Sequence, residues 1–179
     1  RYVREVTGAC RFAQVNRFLL AARMLRALGA GRASEIRNAF EVTHNDVREE
    51  TVNSGLAWVH RKGAAPAHEG QATVVLGSRG APSWVLIGTG SEHGLRSVAH
   101  GAGRRMGRAE ALSKLKAKYK RSELQTTKLG GRVVCDDPAL LYEEHPDAYK
   151  PVEPVVASLI DAGLARAVAS LVPVVTVKR

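Results

Sequence analysis

The stretch "SVAHGAGRRMGR", residues 97 to 108, governs how the rest of the chain is read. It sets one histidine, His100, before a Gly-Ala-Gly turn and follows it with Arg104, Arg105 and Arg108. A neutral imidazole is a fair nucleophile toward phosphorus near pH 7, and the phosphoramidate it forms is readily transferred. Gly101 and Gly103 let the backbone approach a ligand with no Cβ in the way. A helix beginning shortly afterwards would turn its first N–H groups toward an anion. Arg104 and Arg108, four apart, are expected on one helix face, and their guanidinium groups suit bidentate phosphate recognition. The bland alternative for His100 is a loop histidine without a task. The combination points to phosphate chemistry on a nucleic acid.

The charge pattern agrees. The chain has 179 residues and a net charge of +10. Residues 101–132 hold ten Lys/Arg against two acidic residues, whereas the remainder holds 17 basic and 15 acidic ones. Nearly all the excess charge therefore follows His100, where a polyanion would have to lie. A basic run can also be a solvated helix face, but here it follows a glycine-rich turn. Hydrophobic residues make up 45% and charged residues 25%, which suits a globular core and a single region spanning 1–179. Cys10 and Cys135 form no CxxC pair, so a reducing, cytoplasmic setting is expected. No apolar run approaches the roughly 18 residues of a membrane span, and no signal peptide is evident. The chain opens on "RYVREV", already inside a helical pattern, and a fragment lacking an upstream part is expected.

The periodicity predicts a long helix over 2–28, with Val15, Leu19, Ala22 and Leu25 at helical spacing and Gly29 and Gly31 as its stop. Ser34 is placed to cap a short helix over 35–40. "VTHND" (42–46) suggests a strand end or turn. "LAWVH" (56–60), "ATVVL" (72–76) and "SWVLIG" (83–88) have the composition of strands. A basic-faced helix is expected over 106–120, an acidic loop region over 133–151, a helix over 152–163 closed by Gly163, and a last strand over 172–178. Helices and strands that do not alternate strictly imply an α+β fold.

Other stretches carry possible chemistry. His44, in "THNDVREE", has Asp46, Glu49 and Glu50 nearby and could ligate a metal or simply occupy a turn. "HRKGA" (60–64) could hold phosphates with Arg61 and Lys62, or form an exposed turn. "LGSRGAPS" (76–83) offers backbone and hydroxyl donors to a nucleotide, but it lacks the Gly-Lys-Ser/Thr ending of a Walker A loop. It could equally be a plain hairpin connection. Tyr149 could stack on a base and Lys178 could reach one.

As an ordered set, these blocks resemble the RtcB-type RNA-splicing ligases. The resemblance rests on "HN" at 44–45, "RKGA" at 61–64, "GS.G..S" at 77–83, "HGAGR" at 100–104 with "M.R" at 106–108, "AYK" at 148–150 and "VK" at 177–178. It runs from the "FAQVNR" helix (12–17) to the end of the chain. The resemblance implies a GTP- and manganese-dependent ligase that joins an RNA 3′-phosphate or 2′,3′-cyclic phosphate end to a 5′-hydroxyl end, in transfer RNA splicing or RNA repair. His100 would take GMP from GTP. His44 would ligate manganese, one of two ions, with Asn45 at the nucleotide. Leu76, Gly77, Ser78, Arg79 and Ser83 would lie along the guanylate, and Gly101, Ala102 and Gly103 beside it. Tyr149 would lie against the nucleotide, Lys178 would bond the guanine, and Arg104 and Arg108 would hold RNA phosphates.

Some positions depart from the family pattern. Leu76 stands where proline is usual, Arg79 where methionine is, and Gly107 where serine is. The family's Asp-x-x-Cys pair and "GNHF" motif lie upstream of the matched region and are not found here; Thr7 stands three before Cys10. The chain is therefore expected to be inactive alone. Two other functions compete: a non-catalytic RNA-binding module, for which His100 would be dispensable, and a metal-dependent phosphoesterase, which would need no GTP.

Overall fold

The computed structural model describes residues 1–30, 36 and 39–178. In chain order the elements are α1 (Tyr2–Ala27), β1 (Asn45–Val52), β2 (Gly55–Lys62), β3 (Ala64–Pro66), β4 (Ala72–Val75), β5 (Ser83–Gly88) and β6 (Ser97–Ala99). They continue with α2 (Arg108–Lys118), β7 (Arg132–Cys135), α3 (Pro138–Glu143), α4 (Val152–Asp161), β8 (Ala165–Leu171) and β9 (Val175–Lys178). The fold is α+β, as its sequence pattern implies. Among the described residues no helix is long and apolar enough to cross a membrane. The short helix expected over 35–40, with its Ser34 cap, falls largely outside the described residues.

Helix α1 has the expected extent, but its apolar stripe is not buried: no α1 residue is, and Phe12, Val15, Phe18 and Leu19 all stand exposed. Where "VTHND" suggests only a strand end, the full strand β1 begins. Val52 of β1 pairs with Gly55 of β2, and the two residues between them, Asn53 and Ser54, take φ of 49° and 66°. That left-handed pair is what a two-residue type I′ hairpin turn demands.

Strands β3 and β6 pair antiparallel, β4, β5 and β8 form an antiparallel sheet in that order, and β7 and β9 pair in parallel. The acidic region over 133–151 is not a loop. It holds β7, α3 and a 3₁₀ turn at Pro146–Ala148. Asp137 caps α3 by accepting the Ala139 N–H at 2.8 Å, and Pro138 sits at the first helical position, where a missing N–H costs nothing.

Two buried clusters hold these elements together. The first joins Ala65, Val75, Leu86, Val98 and Ala102 to Val152, Val156 and Leu159 of α4. The second joins Ala111 and Leu115 of α2 to Leu124, Val133, Leu141, Tyr142 and Ala148. Each fully buried Val or Leu contributes roughly 1.5–3 kcal/mol. The candidate site lies where the two clusters meet.

Candidate functional site

His100 follows directly on β6 and is clamped by backbone. Its N–H donates to the Gly63 carbonyl at 3.3 Å, and its own carbonyl accepts the Leu76 N–H at 2.9 Å. Gly63 has φ +70°, and a Cβ there would stand 3.4 Å from Nε2 of His100, so the glycine both makes the turn and leaves room for the ring. The His44 ring stacks on the His100 ring, with centroids 4.9 Å apart at 20°. Burial, and then the neighbouring His44, hold the His100 pKa below its ordinary 6.5. The imidazole is therefore neutral at pH 7 and keeps a free lone pair.

His100 opens on a cavity of about 490 Å³. One wall is mainly backbone: Leu76, Gly77, Ser78, Gly101, Ala102 and Gly103. Leu76 and Gly101 bridge in parallel, and the Ala102 N–H donates to the Leu76 carbonyl at 3.3 Å. The loop over 76–83 folds back on itself. The Gly77 N–H donates to Ser83 Oγ at 3.1 Å, and the Ala81 N–H to the Ser78 carbonyl at 3.0 Å. A Cβ on Gly77 would lie 2.1 Å from the Pro82 carbonyl oxygen, so no other residue fits there. The facing wall is made of side chains: Arg104, Glu144, Tyr149, Thr176 and Lys178. The parallel pairing of Cys135 with Lys178 carries this lysine to the rim.

The cavity thus gathers His100 with Leu76, Gly77, Ser78, Arg79, Ser83, Gly101, Ala102, Gly103, Arg104, Tyr149 and Lys178. His44 and Asn45 do not line it. His44 lies behind His100, and Asn45 Oδ1 accepts the Gly63 N–H at 3.1 Å, supporting the turn under the imidazole. Arg104 and Arg108 do not share a helix face, because α2 starts only at Arg108 and Arg104 lies in a bridge to Tyr149. Four of the five Arg104 guanidinium N–H groups are taken up by protein. Its Nε donates to the Met106 carbonyl at 3.0 Å and its Nη1 to Glu144 at 3.1 Å and Tyr149 at 2.9 Å, while Nη2 donates to the Glu143 carbonyl. Arg108 is mostly exposed, with Nε 3.7 Å from Glu144. Arg61 is buried and donates to both Glu50 carboxylate oxygens, at 2.6 and 3.0 Å, so it braces the hairpin; Lys62 is exposed. Arg79 is buried, its Nη2 donating to the Leu141 carbonyl at 2.6 Å while its Nη1 has no partner.

Glu144 escapes the sequence reading. It accepts from Arg104 and from the Tyr149 hydroxyl, and it lies 3.7 Å from Arg108 and 3.9 Å from Lys178. Burial alone would raise its pKa; the Tyr149 hydroxyl and the charges of Lys178, Arg104 and Arg108 outweigh that and hold it below 4.5. One carboxylate thereby fixes three of the groups on the side-chain wall. The available hint was its place five residues before Tyr149 of "AYK", in a segment otherwise dismissed as loop.

Manganese does not fit these residues by themselves. His44 offers one imidazole, and among the described residues no three His, Cys, Asp or Glu side chains converge on a point.

A neutral imidazole opening on a nucleotide-sized cavity with cations on its far wall has the parts needed to accept a phosphoryl group. The comparisons then give the family. The model described as tRNA-splicing ligase RtcB matches residues 1–179, and the chain belongs to the RtcB family. It is similar to the RNA-splicing ligase RtcB2 of Escherichia coli, with 42% identity over 178 residues, covering 99% of this chain and 46% of that protein. The RNA-splicing ligase RtcB of Mycobacterium bovis is 32% identical over 194 residues, covering 99% of this chain and 44% of that protein. That of Escherichia coli K12 is also 32% identical, over 184 residues that cover 99% and 43%. The chain thus spans somewhat under half the length of these curated relatives.

Proposed function

We propose that this chain, over 1–179, carries the guanylyl-transfer part of an RNA ligase that joins a 3′-phosphate or 2′,3′-cyclic phosphate end to a 5′-hydroxyl end. The observation that carries the reading is that His100, neutral through burial, opens on the same cavity as the 76–83 loop, Tyr149 and Lys178. The relatives' names, RNA-splicing ligases, supply the substrate class.

In the first step a lone pair of His100 attacks the α-phosphorus of GTP. A P–N bond forms, the bond to the β-phosphate oxygen breaks, pyrophosphate leaves, and the imidazolium sheds its proton. In the second step an oxygen of the RNA 3′-phosphate attacks the same phosphorus, the P–N bond breaks, and the 3′ end carries GMP through a diphosphate. In the third step the 5′-hydroxyl oxygen attacks the RNA 3′-phosphorus, GMP leaves and a phosphodiester remains. A cyclic phosphate end would first be opened by water. Gly77 and the Gly101–Gly103 turn let the backbone approach the guanylate, Tyr149 packs on it, and Lys178 bonds the base. Arg108, being exposed, is the better placed of the two arginines to meet an RNA phosphate. Arg104 acts through Tyr149 and Glu144. His44 stacks behind the nucleophile and would give one ligand to manganese, the others coming from outside the described residues. The cytoplasm suits the two unpaired thiols, Cys10 and Cys135.

The test is transfer of label from α-labelled GTP in the presence of Mn²⁺, using a polypeptide that also carries the upstream metal ligands. Label on the protein, absent in His100→Ala, is expected. RNA binding with no GTP requirement would favour a binding module, and phosphate release without GTP would favour a phosphoesterase.

A further inference from the structure

A second cavity, of about 640 Å³, adjoins the nucleotide cavity and shares Ser78, Arg79 and Tyr149 with it. It takes Lys150 of "AYK" and the far side of the 76–83 loop, together with Arg105, Lys118, Tyr119, Lys128 and His145, none of which the family motifs assign. One side is aromatic: the Tyr119 and His145 rings stack with centroids 4.4 Å apart at 24°. His145 is neutral, because burial, with Arg79, Lys118 and Lys128 nearby, pushes its pKa down to about 4. Its Nδ1 accepts the Asp147 N–H at 3.0 Å.

The charge of this cavity is unbalanced. Arg79, Arg105, Lys118, Lys128 and Lys150 line it, against only Glu123 and Asp147. Both carboxylates are already engaged. Asp147 accepts from Lys118 at 3.0 Å and from the Tyr119 hydroxyl at 2.7 Å, and Glu123 accepts the Lys120 N–H at 2.8 Å. Lys128 and Lys150 have no carboxylate partner among the described residues. Arg79 is 8% exposed, and its Nη1 is buried without a partner. Glu144, the carboxylate whose charge reaches Arg79, is hydrogen-bonded instead by Arg104 and Tyr149, and a buried guanidinium N–H left without a partner is costly unless a ligand completes it.

The cavity has the size of small-ligand sites, roughly 300–1,000 Å³. Its excess cations ask for phosphate oxygens, and the Tyr119 ring, already covered by His145 and by Lys118 Nζ at 4.7 Å, leaves the cavity to a phosphate backbone rather than to a stacked base. A polymer fits better than a free nucleotide. Arg105, Lys118 and Lys128 of the basic run over 101–132 line the cavity, and the shared Ser78, Arg79 and Tyr149 make the two cavities neighbours.

We propose that this second cavity grips the sugar–phosphate backbone of the RNA beside the nucleotide site, with Arg79 holding a phosphate at its floor and Lys128 and Lys150 at its mouth. The identity of the polymer rests on the ligase reading above. The experiment is fluorescence anisotropy of a short fluorescein-labelled single-stranded RNA with the full chain, without GTP or metal. Arg79→Met is expected to weaken binding about tenfold. A Lys128→Ala/Lys150→Ala double variant, confined to the surface and safe for folding, is expected to flatten the slope of log affinity against log salt by about 1.4, from two contacts at roughly 0.7 each. Its affinity for a fluorescent GTP analogue is expected to stay that of the wild type. RNA affinity within twofold of wild type in both variants, with an unchanged salt slope, would overturn the proposal. So would a fall in GTP affinity with RNA binding intact, which would assign the cavity to the nucleotide. Labelling of His100 is a separate readout: its failure strikes the ligase reading, while the RNA affinities decide this one.

Discussion

The two walls of the cavity at His100 are built from different materials. The wall over 76–83 and 101–103 is mainly backbone, shaped by Gly77, which admits no Cβ, and rooted in the first buried cluster. The wall over 144–149 and 178 is a clasp of charged side chains around Glu144, set on the second cluster. A backbone wall is rigid and tells little between ligands; a clasp of side chains can be loosened by one substitution or by pH. The site therefore joins a fixed surface beside the nucleophile to an adjustable one where a base would lie.

The strongest way to break the backbone wall is to remove what braces it. Arg61 is buried on Glu50, donates to Ser97 Oγ at 2.8 Å, and stands two residues from the Gly63 turn beneath His100. Arg61→Ala takes from the partly buried Glu50 its bidentate partner, leaving His68 Nε2 at 3.7 Å, and a loss of about 3 kcal/mol is expected in denaturant unfolding. Gly77→Ala drives a methyl into the Pro82 carbonyl; overpacking of this kind costs about 1–3 kcal/mol, and GTP-analogue binding is expected to go with it.

The side-chain wall should give way more gently. Glu144→Gln removes the shared counter-charge of Arg104 and Lys178, and a loss of about 1–2 kcal/mol is expected. The pH dependence sharpens the contrast. The Glu144 pKa is lowered in the folded chain, so its contribution is present above the unfolded carboxylate pKa and fades as pH falls through the lowered native value. The wild type is expected to lose this stability in acid, and Glu144→Gln to flatten that limb in a pH series of unfolding curves. The smallest effect belongs to Arg108→Ala. This exposed side chain is expected to cost only a few-fold in RNA affinity and about 0.7 in salt slope, with folding unchanged.

The same contrast explains what could be read in advance. The backbone wall was legible because glycine and histidine at fixed spacing announce a tight turn, and "SWVLIG" coincides with β5 from Ser83 to Gly88. Strand β1 was not legible. "NDVREETV" is mostly charged, and its pairing is set by the Asn53–Ser54 turn and by Arg61 across the hairpin. Strand β8, "ARAVASL", is rich in small residues and becomes a strand by pairing with β5. Helix α3 was hidden by Pro138, which looks like a breaker and instead starts the helix behind the Asp137 cap. Glu144 was missed because its partner Arg104 lies 40 residues away. The apolar spacing of α1 was read correctly, yet no burial follows from it among the described residues.

That His100 carries GMP is tested most directly by mapping the guanylate to a residue. The polypeptide bearing the upstream metal ligands would be incubated with GTP and Mn²⁺, digested, and the modified peptide sequenced by mass spectrometry. An acid-labile guanylate on His100 is expected, absent in His100→Ala. Because the His100 pKa is lowered, formation should persist to lower pH than an ordinary histidine would allow and fall off as His100 becomes protonated. A guanylate on another residue such as Lys178, or none on a metal-loaded polypeptide, would contradict the assignment of His100 as the nucleophile.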